Sequence, residues 1–379
     1  MSSTKSRSTH RIAVGALFFI QGIGFSSWAS RIPTIQERLN LSETELGLVL
    51  FIIPVGLMFS LPFSGWLISK YGSRPVVITA ITCYFTSLVF IGLSTSIVQL
   101  LLALFAFGLF GNMVNISVNT QAVNVEALYS KTIMASFHGL WSLAGFAGAA
   151  IGALMIAQQV EPAYHFLIAA TFSLLILVIF GRNTIASDSG KKAGDKFVWP
   201  DRPLILLGSI SFFSLICEGA MFDWSGVYFK KVVLAQENWI GAGYSIFMCS
   251  MAAGRFIADT IVARLGLKRM LQINGILTAT GLLIAVFFPA LATAMLGFSM
   301  VGFGISSVVP LVYSAAGRSK ILSPGTAIAT VSSIGFIGFL VGPPLIGIIA
   351  GAFDLRISFF VIAIMGVCVT LISGFIKEN

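Results

Sequence analysis

Long apolar stretches follow one another along the whole chain, separated by short polar breaks, and none of them alternates with period two. Twelve of these stretches exceed about 18 residues, the length a helix needs to cross a hydrocarbon core of about 30 Å. They run over 12–30, 45–69, 75–94, 97–123, 132–157, 163–181, 203–229, 239–262, 270–288, 290–315, 326–350 and 354–376. Continuous runs predict helices and exclude a β-barrel, whose strands would read apolar and polar in turn. The pattern therefore predicts an all-α membrane protein with twelve transmembrane helices.

Composition agrees. The 379 residues are 57% hydrophobic and only 10% charged, whereas soluble domains carry about 25% charged residues. The net charge of +9 raises the question of nucleic acid, but the placement of the basic residues answers it. With the N-terminus in the cytosol, 17 of the 23 Lys and Arg fall on the inner side. Arg31, Arg38, Lys230, Lys231 and Arg356 fall outside, and Arg255 lies within a span. This is the positive-inside bias of a membrane protein; no nucleic-acid partner is expected. It predicts both termini and residues 182–202 in the cytosol, with 31–43 and 230–237 outside. Residues 1–30 resemble a signal peptide, but cleavage there would leave eleven spans, so they read as an uncleaved first helix. Cys83, Cys217, Cys249 and Cys368 all lie in spans and read as small core residues, not as disulfides or a metal site.

The long polar interval 182–202 follows the sixth span and divides the chain six plus six. The expected organisation is a six-helix bundle over 1–181, a cytosolic loop over 182–202, and a second six-helix bundle over 203–379. At an offset of about 195 the halves show weak likeness: GWLISKYGSRP (65–75) answers DTIVARLGLKR (259–269), FSSWAS (25–30) answers MFDWSG (221–226), and HGLWSLAGFAGAAIG (138–152) answers IGFIGFLVGPPLIG (334–347). Matched repeats of this kind mark a secondary transporter built from duplicated halves.

Gly65, Lys70, Gly72 and Arg74 resemble the loop motif of the major facilitator superfamily, with Ser69 where the usual aspartate stands and Ser73 at one basic position. The second copy keeps Arg264, Gly266, Lys268 and Arg269. NVE (124–126), HGLWSLAG (138–145), EGAMFDW (218–224), GRF (254–256) and FLVGPPLIG (339–347) are similar to the YbjJ-type bacterial inner-membrane branch of that superfamily. The resemblance implies two pseudo-symmetric bundles, alternating access, a monomer, and a gating role for the loop motif. It also implies that the first and fourth helices of each half line a central cavity.

The fourth span carries NMVNISVNTQAVNVE at 112–126. At about 100° per residue, Asn112, Asn115, Asn119 and Glu126 fall within about 60° of arc, while Gln121 and Asn124 point elsewhere. An unpaired polar side chain in hydrocarbon costs several kcal/mol, so this stripe faces protein or water. Its two readings are interhelical glue, at about 1 kcal/mol per amide, and contact with substrate; Glu126 reads as a cap at the cytosolic end. Expected partners are Gln21, Phe25 and Trp28 on the first span, His138 and Trp141 on the fifth, and Tyr313 with Ser306 and Pro310 on the tenth. Amides beside aromatic rings suit a polyhydroxylated solute, since amides bond hydroxyls and rings cover C–H faces. For Trp28 and Trp141 the competing reading is packing or interface anchoring, and His165 in the sixth span reads as packing.

Only Glu218, Asp223 and Asp259 among the acids lie clearly within spans, and an intramembrane acid is a functional candidate. Asp259 has Arg255 four residues before it and reads as a structural or gating pair. Glu218 has no cation on its own helix and reads as the leading proton-coupling group, with Asp223 second and Arg31 or Lys230 as its potential neutralisers. The chain lacks GxxxxGK[ST], so ATP-driven transport is disfavoured. No cofactor, metal or catalytic pair is expected, and an enzyme is not. The sequence reading is a secondary transporter of the bacterial cytoplasmic membrane, moving a small polar solute, a sugar or sugar derivative, with protons. The rival within the class is a drug or metabolite efflux antiporter. The rival outside it is a non-transporting receptor or scaffold.

Overall fold

The computed structural model describes residues 6–129, 133–186, 201–319, 322 and 324–376. Among these, twelve helical segments are long and apolar enough to cross a membrane. The first six are α1 (Arg7–Arg38), α2 (Glu43–Tyr71), α3 (Ser73–Leu93), α4 (Ile97–Glu126), α5 (Met134–Ala157) and α6 (Pro162–Phe180). After the loop come α7 (Arg202–Lys231), α8 (Ala242–Leu265), α9 (Leu267–Phe287), α10 (Leu291–Ile305), α11 (Val308–Ala316), α12 (Pro324–Ala352) and α13 (Leu355–Ser373).

The helices begin where polar side chains can satisfy their first N–H groups. Ser6 accepts from the Thr9 amide, Ser96 from Gln99, Asp201 from Leu204 and Asp354 from Ile357. Ser42 and Glu45 cap α2 reciprocally, Glu45 Oε2 accepting from the Ser42 amide at 2.9 Å and Ser42 Oγ from the Glu45 amide at 3.3 Å. The tenth span is broken into α10 and α11 at Ser306–Ser307. Pro310 explains the break, because it has no N–H to return to the carbonyl of Ser306.

The chain divides into two compact units, one of residues 1–39 and 52–193, the other of 40–51 and 194–379. Helix α2 thus contributes its first turns to the second unit and the remainder to the first. The two units share a packing plan. In the first, α1 packs on α5, α3 on α4, and α3 on α6; in the second, α7 packs on α12, α9 on α10, and α9 on α13. Small residues bring α1 and α5 together, Gly148 lying against Ser26 and Gly152 against Ser30; Gly335 against Ser211 does the same for α12 and α7. The repeated loop motif lands on one conformation: Gly72 has φ 84° and Gly266 φ 78°, each opening the third helix of its unit. Only glycine enters that region freely. Trp28 and Trp224, matched in the two repeats, are both buried with the indole N–H unpartnered.

One boundary differs from the sequence reading. The first span does not end at residue 30; α1 runs on through residues 31–38 to Arg38. Two basic residues inside the extension are satisfied by carbonyls and one imidazole. Arg31, 2% exposed, donates Nη2 to Val160 O at 2.7 Å and Nε to His165 Nδ1 at 3.2 Å. Arg38 donates to Gly92 O at 2.7 Å, at the end of α3. Arg31 is therefore taken up by α6 and its preceding turn.

Candidate functional site

In the first unit, α4 presents its amides to two different environments. Asn112 is 6% exposed and donates Nδ2 to Ser60 Oγ at 2.7 Å and to Leu57 O at 3.3 Å, both on α2. It ties helix to helix, the role that small-residue contacts between Gly108 and Ile53 and between Gly56 and Phe105 already mark out. Asn115 and Asn119 are partly exposed, and Asn119 Nδ2 donates to Asn115 Oδ1 at 3.0 Å and to Asn115 O at 2.8 Å. That leaves the Asn115 amide N–H2 and the Asn119 carbonyl oxygen without partners among the described residues. Glu126 departs from the stripe: its Oε2 accepts from the amides of Ile133 and Met134 at 2.7 and 2.8 Å, capping the entry into α5.

On α1 and α5 of the same unit lie the expected aromatic rings and an amide. Phe25 and Trp141 have ring centroids 6.4 Å apart, and both are partly exposed. Gln21 is partly exposed as a residue, but its Oε1 is buried without a partner. His138 lies edge-on to Phe18, centroids 5.2 Å apart. Trp28 does not join them; at 1% exposed it is packed inside the unit.

Gln121, set aside in the sequence as pointing elsewhere, has a task of its own. It is fully buried, donates Nε2 to Ser73 Oγ at 2.7 Å, and exchanges two bonds with the backbone of Ile185, at 2.9 and 2.8 Å. With His10 on Asn183 O at 2.6 Å and Arg74 on Arg182 O, it fastens the chain leaving α6 to the first unit. Arg74 of the loop motif thus holds a carbonyl. Lys70 sits 4.9 Å over the Trp66 ring and 5.1 Å over Tyr71, and Gly65 has open space where a side chain would stand.

In the second unit, Arg255 reaches across to α7. Its Nη2 stands 3.8 Å from Glu218 Oε1 on α7, and its Nε donates to Ser306 O at 3.4 Å. That carbonyl is the one Pro310 leaves unbonded. The side chain of Asp259 lies outside the described part of the structure, and Arg264 is exposed. Glu218 therefore has a cation in reach after all, supplied by the neighbouring helix. Tyr313 on α11 is partly exposed and lies in the electrostatic neighbourhood of Glu218. Asp223, one turn and a half further along α7, is partly exposed and has no hydrogen bond or ion pair among the described residues. Tyr244 of α8 lies in its electrostatic neighbourhood, and the Tyr244 hydroxyl is buried without a partner among the described residues. Neither Tyr244 nor the Arg255–Glu218 pair follows from spacing along one helix. The free carbonyl at Ser306, by contrast, was readable from Pro310. No group of His, Cys, Asp and Glu among the described residues is arranged to hold a metal ion.

Two similar helical units, each with polar side chains set within its spans, define a polytopic membrane transporter. The chain matches the model of the Major Facilitator Superfamily over residues 14–320 and belongs to that family. It is 30% identical to an uncharacterized MFS-type transporter of Yersinia pestis over 94% of this chain and 93% of that protein. It is 31% identical to an uncharacterized transporter of Sinorhizobium fredii over 96% of this chain and 97% of that one. Among solved structures it is similar in fold to the nucleoside transporter NupG, with a TM-score of 0.77, 14% identity, and coverage of 96% of this chain and 98% of that chain. A bacterial homolog of the human lysosomal transporter Spinster superposes with a TM-score of 0.76 at 15% identity, covering 98% and 97% of the two chains.

Proposed function

We propose that this transporter moves a small neutral polyhydroxylated solute, a sugar or sugar derivative, together with protons across a bacterial cytoplasmic membrane. The observation that carries the reading is the Asn115–Asn119 couple, which leaves one amide donor and one amide acceptor free on a partly exposed face of α4. A vicinal diol needs that arrangement, one hydroxyl accepting and the next donating. Gln21, Phe25 and Trp141 supply the further acceptor and the ring faces that cover C–H surface. Tyr313 belongs to the second unit's polar face, beside Glu218. Proton coupling rests on the two acids of α7, Glu218 and Asp223, since a carrier needs a group whose protonation differs between its states. Proteins of similar fold are named as transporters of nucleosides and of organic anions, and the ribose of a nucleoside is a polyol of the kind proposed. The basic residues, concentrated on one side, support cytosolic termini, and bacterial relatives support the inner membrane.

A thermal-shift screen of the purified full chain tests the substrate class. Hexoses, amino sugars and nucleosides are compared with dicarboxylates and lipophilic cations. A bound solute raises the melting temperature by mass action. Stabilisation by a polyol supports the reading; stabilisation by dicarboxylates or lipophilic cations alone overturns it.

A further inference from the structure

We propose that Arg31 and His165 form an acid-sensitive latch between α1 and α6. The contact closes on a neutral imidazole and opens when that ring takes a second proton. The latch needs no solute and stands apart from the proton-coupled reading. Its basis is the ring nitrogen that faces the guanidinium, and a setting without an acid.

A guanidinium only donates, and it keeps its charge at any working pH. Arg31 Nε lies 3.2 Å from His165 Nδ1, and Nη2 lies 2.7 Å from Val160 O. The facing Nδ1 must therefore carry a lone pair, which puts the one proton of the neutral ring on Nε2. Nε2 is buried without a partner among the described residues. A second proton can go only to Nδ1. There it removes the acceptor and sets an imidazolium against a guanidinium. Arg31 is 2% exposed and His165 1%, so water does little to screen the two charges. The closed contact and a protonated ring exclude each other.

No neighbouring group relieves that conflict. The elements packed on α1 and α6 are α3, α4, α5 and the turn after α6. On α1, Glu37 and Arg38 are exposed, with Arg38 on Gly92 O. Arg7, His10 and Arg11 lie at least about 30 Å back along the same helix. On α6 Tyr164 is exposed, and so is Glu161 just before it, in the electrostatic neighbourhood of Arg38. Helix α3 brings Arg74, engaged with Arg182 O at its start, and Cys83 and Tyr84 at mid-length, with Tyr84 stacked on Phe107. Helix α5 brings His138 against Phe18, α4 brings Glu126 as the cap of α5, and Arg182 after α6 is exposed. Among the described residues Arg31 is the charged group that acts on His165, and no acid acts on Arg31. The fold itself does not demand a charge here. The repeat matches Arg31 with Val227 of the second unit, apolar and fully buried. With the ring protonated, the end of α1 keeps Arg38 on α3 but loses its tie to α6.

Hydrogen-exchange mass spectrometry on the full chain in liposomes reads the latch through peptides covering 31–39 and 158–168. Rates are corrected for the intrinsic pH dependence of exchange and taken where peptides of α9 keep their protection. A hydrated imidazole takes a proton near pH 6.5 and the closed contact admits none. The opening constant should therefore rise about tenfold from about pH 7.5 to about pH 5.5. His165→Asn sets a neutral oxygen acceptor where Nδ1 stands, so its peptides should stay protected at both pH values. Arg31→Gln should exchange faster than the parent at the higher pH and lose the pH response. The chain has three histidines, so nitrogen-15 histidine NMR of the parent gives a second reading that needs no variant to fold. One ring should carry its proton on Nε2 with a hydrogen-bonded Nδ1, and give way to imidazolium in step with the exchange. Equal protection of the parent at the two pH values overturns the latch. A parent-like pH response in His165→Asn also overturns it, because the sensor then lies elsewhere. Where His165→Asn does not fold, the NMR decides, and a spectrum without that ring overturns the proposal.

Discussion

The guanidinium of Arg255 lies 3.8 Å from the carboxylate of Glu218, across two helices, and is steadied from the other side by the carbonyl of Ser306. Breaking a buried pair by removing one partner costs about 3–5 kcal/mol, because the survivor keeps an uncompensated charge. Arg255→Gln and Glu218→Gln should each lower the thermal unfolding temperature strongly. The double variant should recover most of the loss, since two amides of similar size leave no charge behind. Unfolding temperatures that fall additively would show that the two residues do not act as a pair.

The α4 amides are predicted to separate into two behaviours. Asn112→Leu removes two bonds to α2 and should cost about 1–3 kcal/mol of stability without changing affinity for a solute found by the thermal screen. Asn115→Leu and Asn119→Leu should leave folding near that of the parent and weaken binding roughly tenfold, the worth of one or two net hydrogen bonds. Isothermal titration with the identified solute distinguishes these. Equal affinity in all three variants would make the whole stripe interhelical glue.

Gln121 is predicted to anchor the chain that leaves the first unit. Gln121→Leu keeps the volume but strands the amide and carbonyl of Ile185, at about 1–3 kcal/mol for buried groups left unbonded. A cysteine placed at Thr184, 2% exposed in the parent, should then react faster with a soluble maleimide than in the unmodified background. Unchanged reactivity would show that the bonds from His10 and Arg74 hold the segment alone.

The orientation drawn from charge has a direct check in intact cells. A membrane-impermeant thiol reagent should modify a cysteine at Arg38 and spare one at Lys192. The reverse pattern would invert the topology and every statement of sidedness made from it.

Much of the fold was legible because the membrane leaves few options: a polar backbone in hydrocarbon must close its bonds within a helix, so apolar length alone located the spans. The repeat was legible through glycine, since Gly72 and Gly266 occupy a conformation that other residues avoid. The end of α1 was not, because Arg31 and Arg38 look like outer-loop residues until His165, Val160 and Gly92 are seen to receive them. Helical angle placed Asn112, Asn115 and Asn119 on one face, but angle does not say that α2 covers the first and not the others. Contacts between helices were hidden for the same reason. Spacing offered Asp259 to Arg255 along α8, a pairing that lies outside the described side chains; the contact of Arg255 with Glu218 depends on how α7 and α8 pack, and on a carbonyl that a proline on a third segment sets free.

The central claim is that solute bound at the Asn115–Asn119 couple moves with a proton. Solid-supported-membrane recordings on reconstituted full chain test it most directly, with concentration jumps of hexoses, amino sugars and nucleosides at equal pH on both sides. A neutral solute travelling with a proton carries net positive charge, so the account predicts a transient inward-directed current with at least one of these solutes. That current should be shifted to about tenfold higher solute concentration in Asn115→Leu, in line with the net worth of one amide bond. A current carried only by charged solutes, or one that Asn115→Leu and Asn119→Leu both leave untouched, would contradict it.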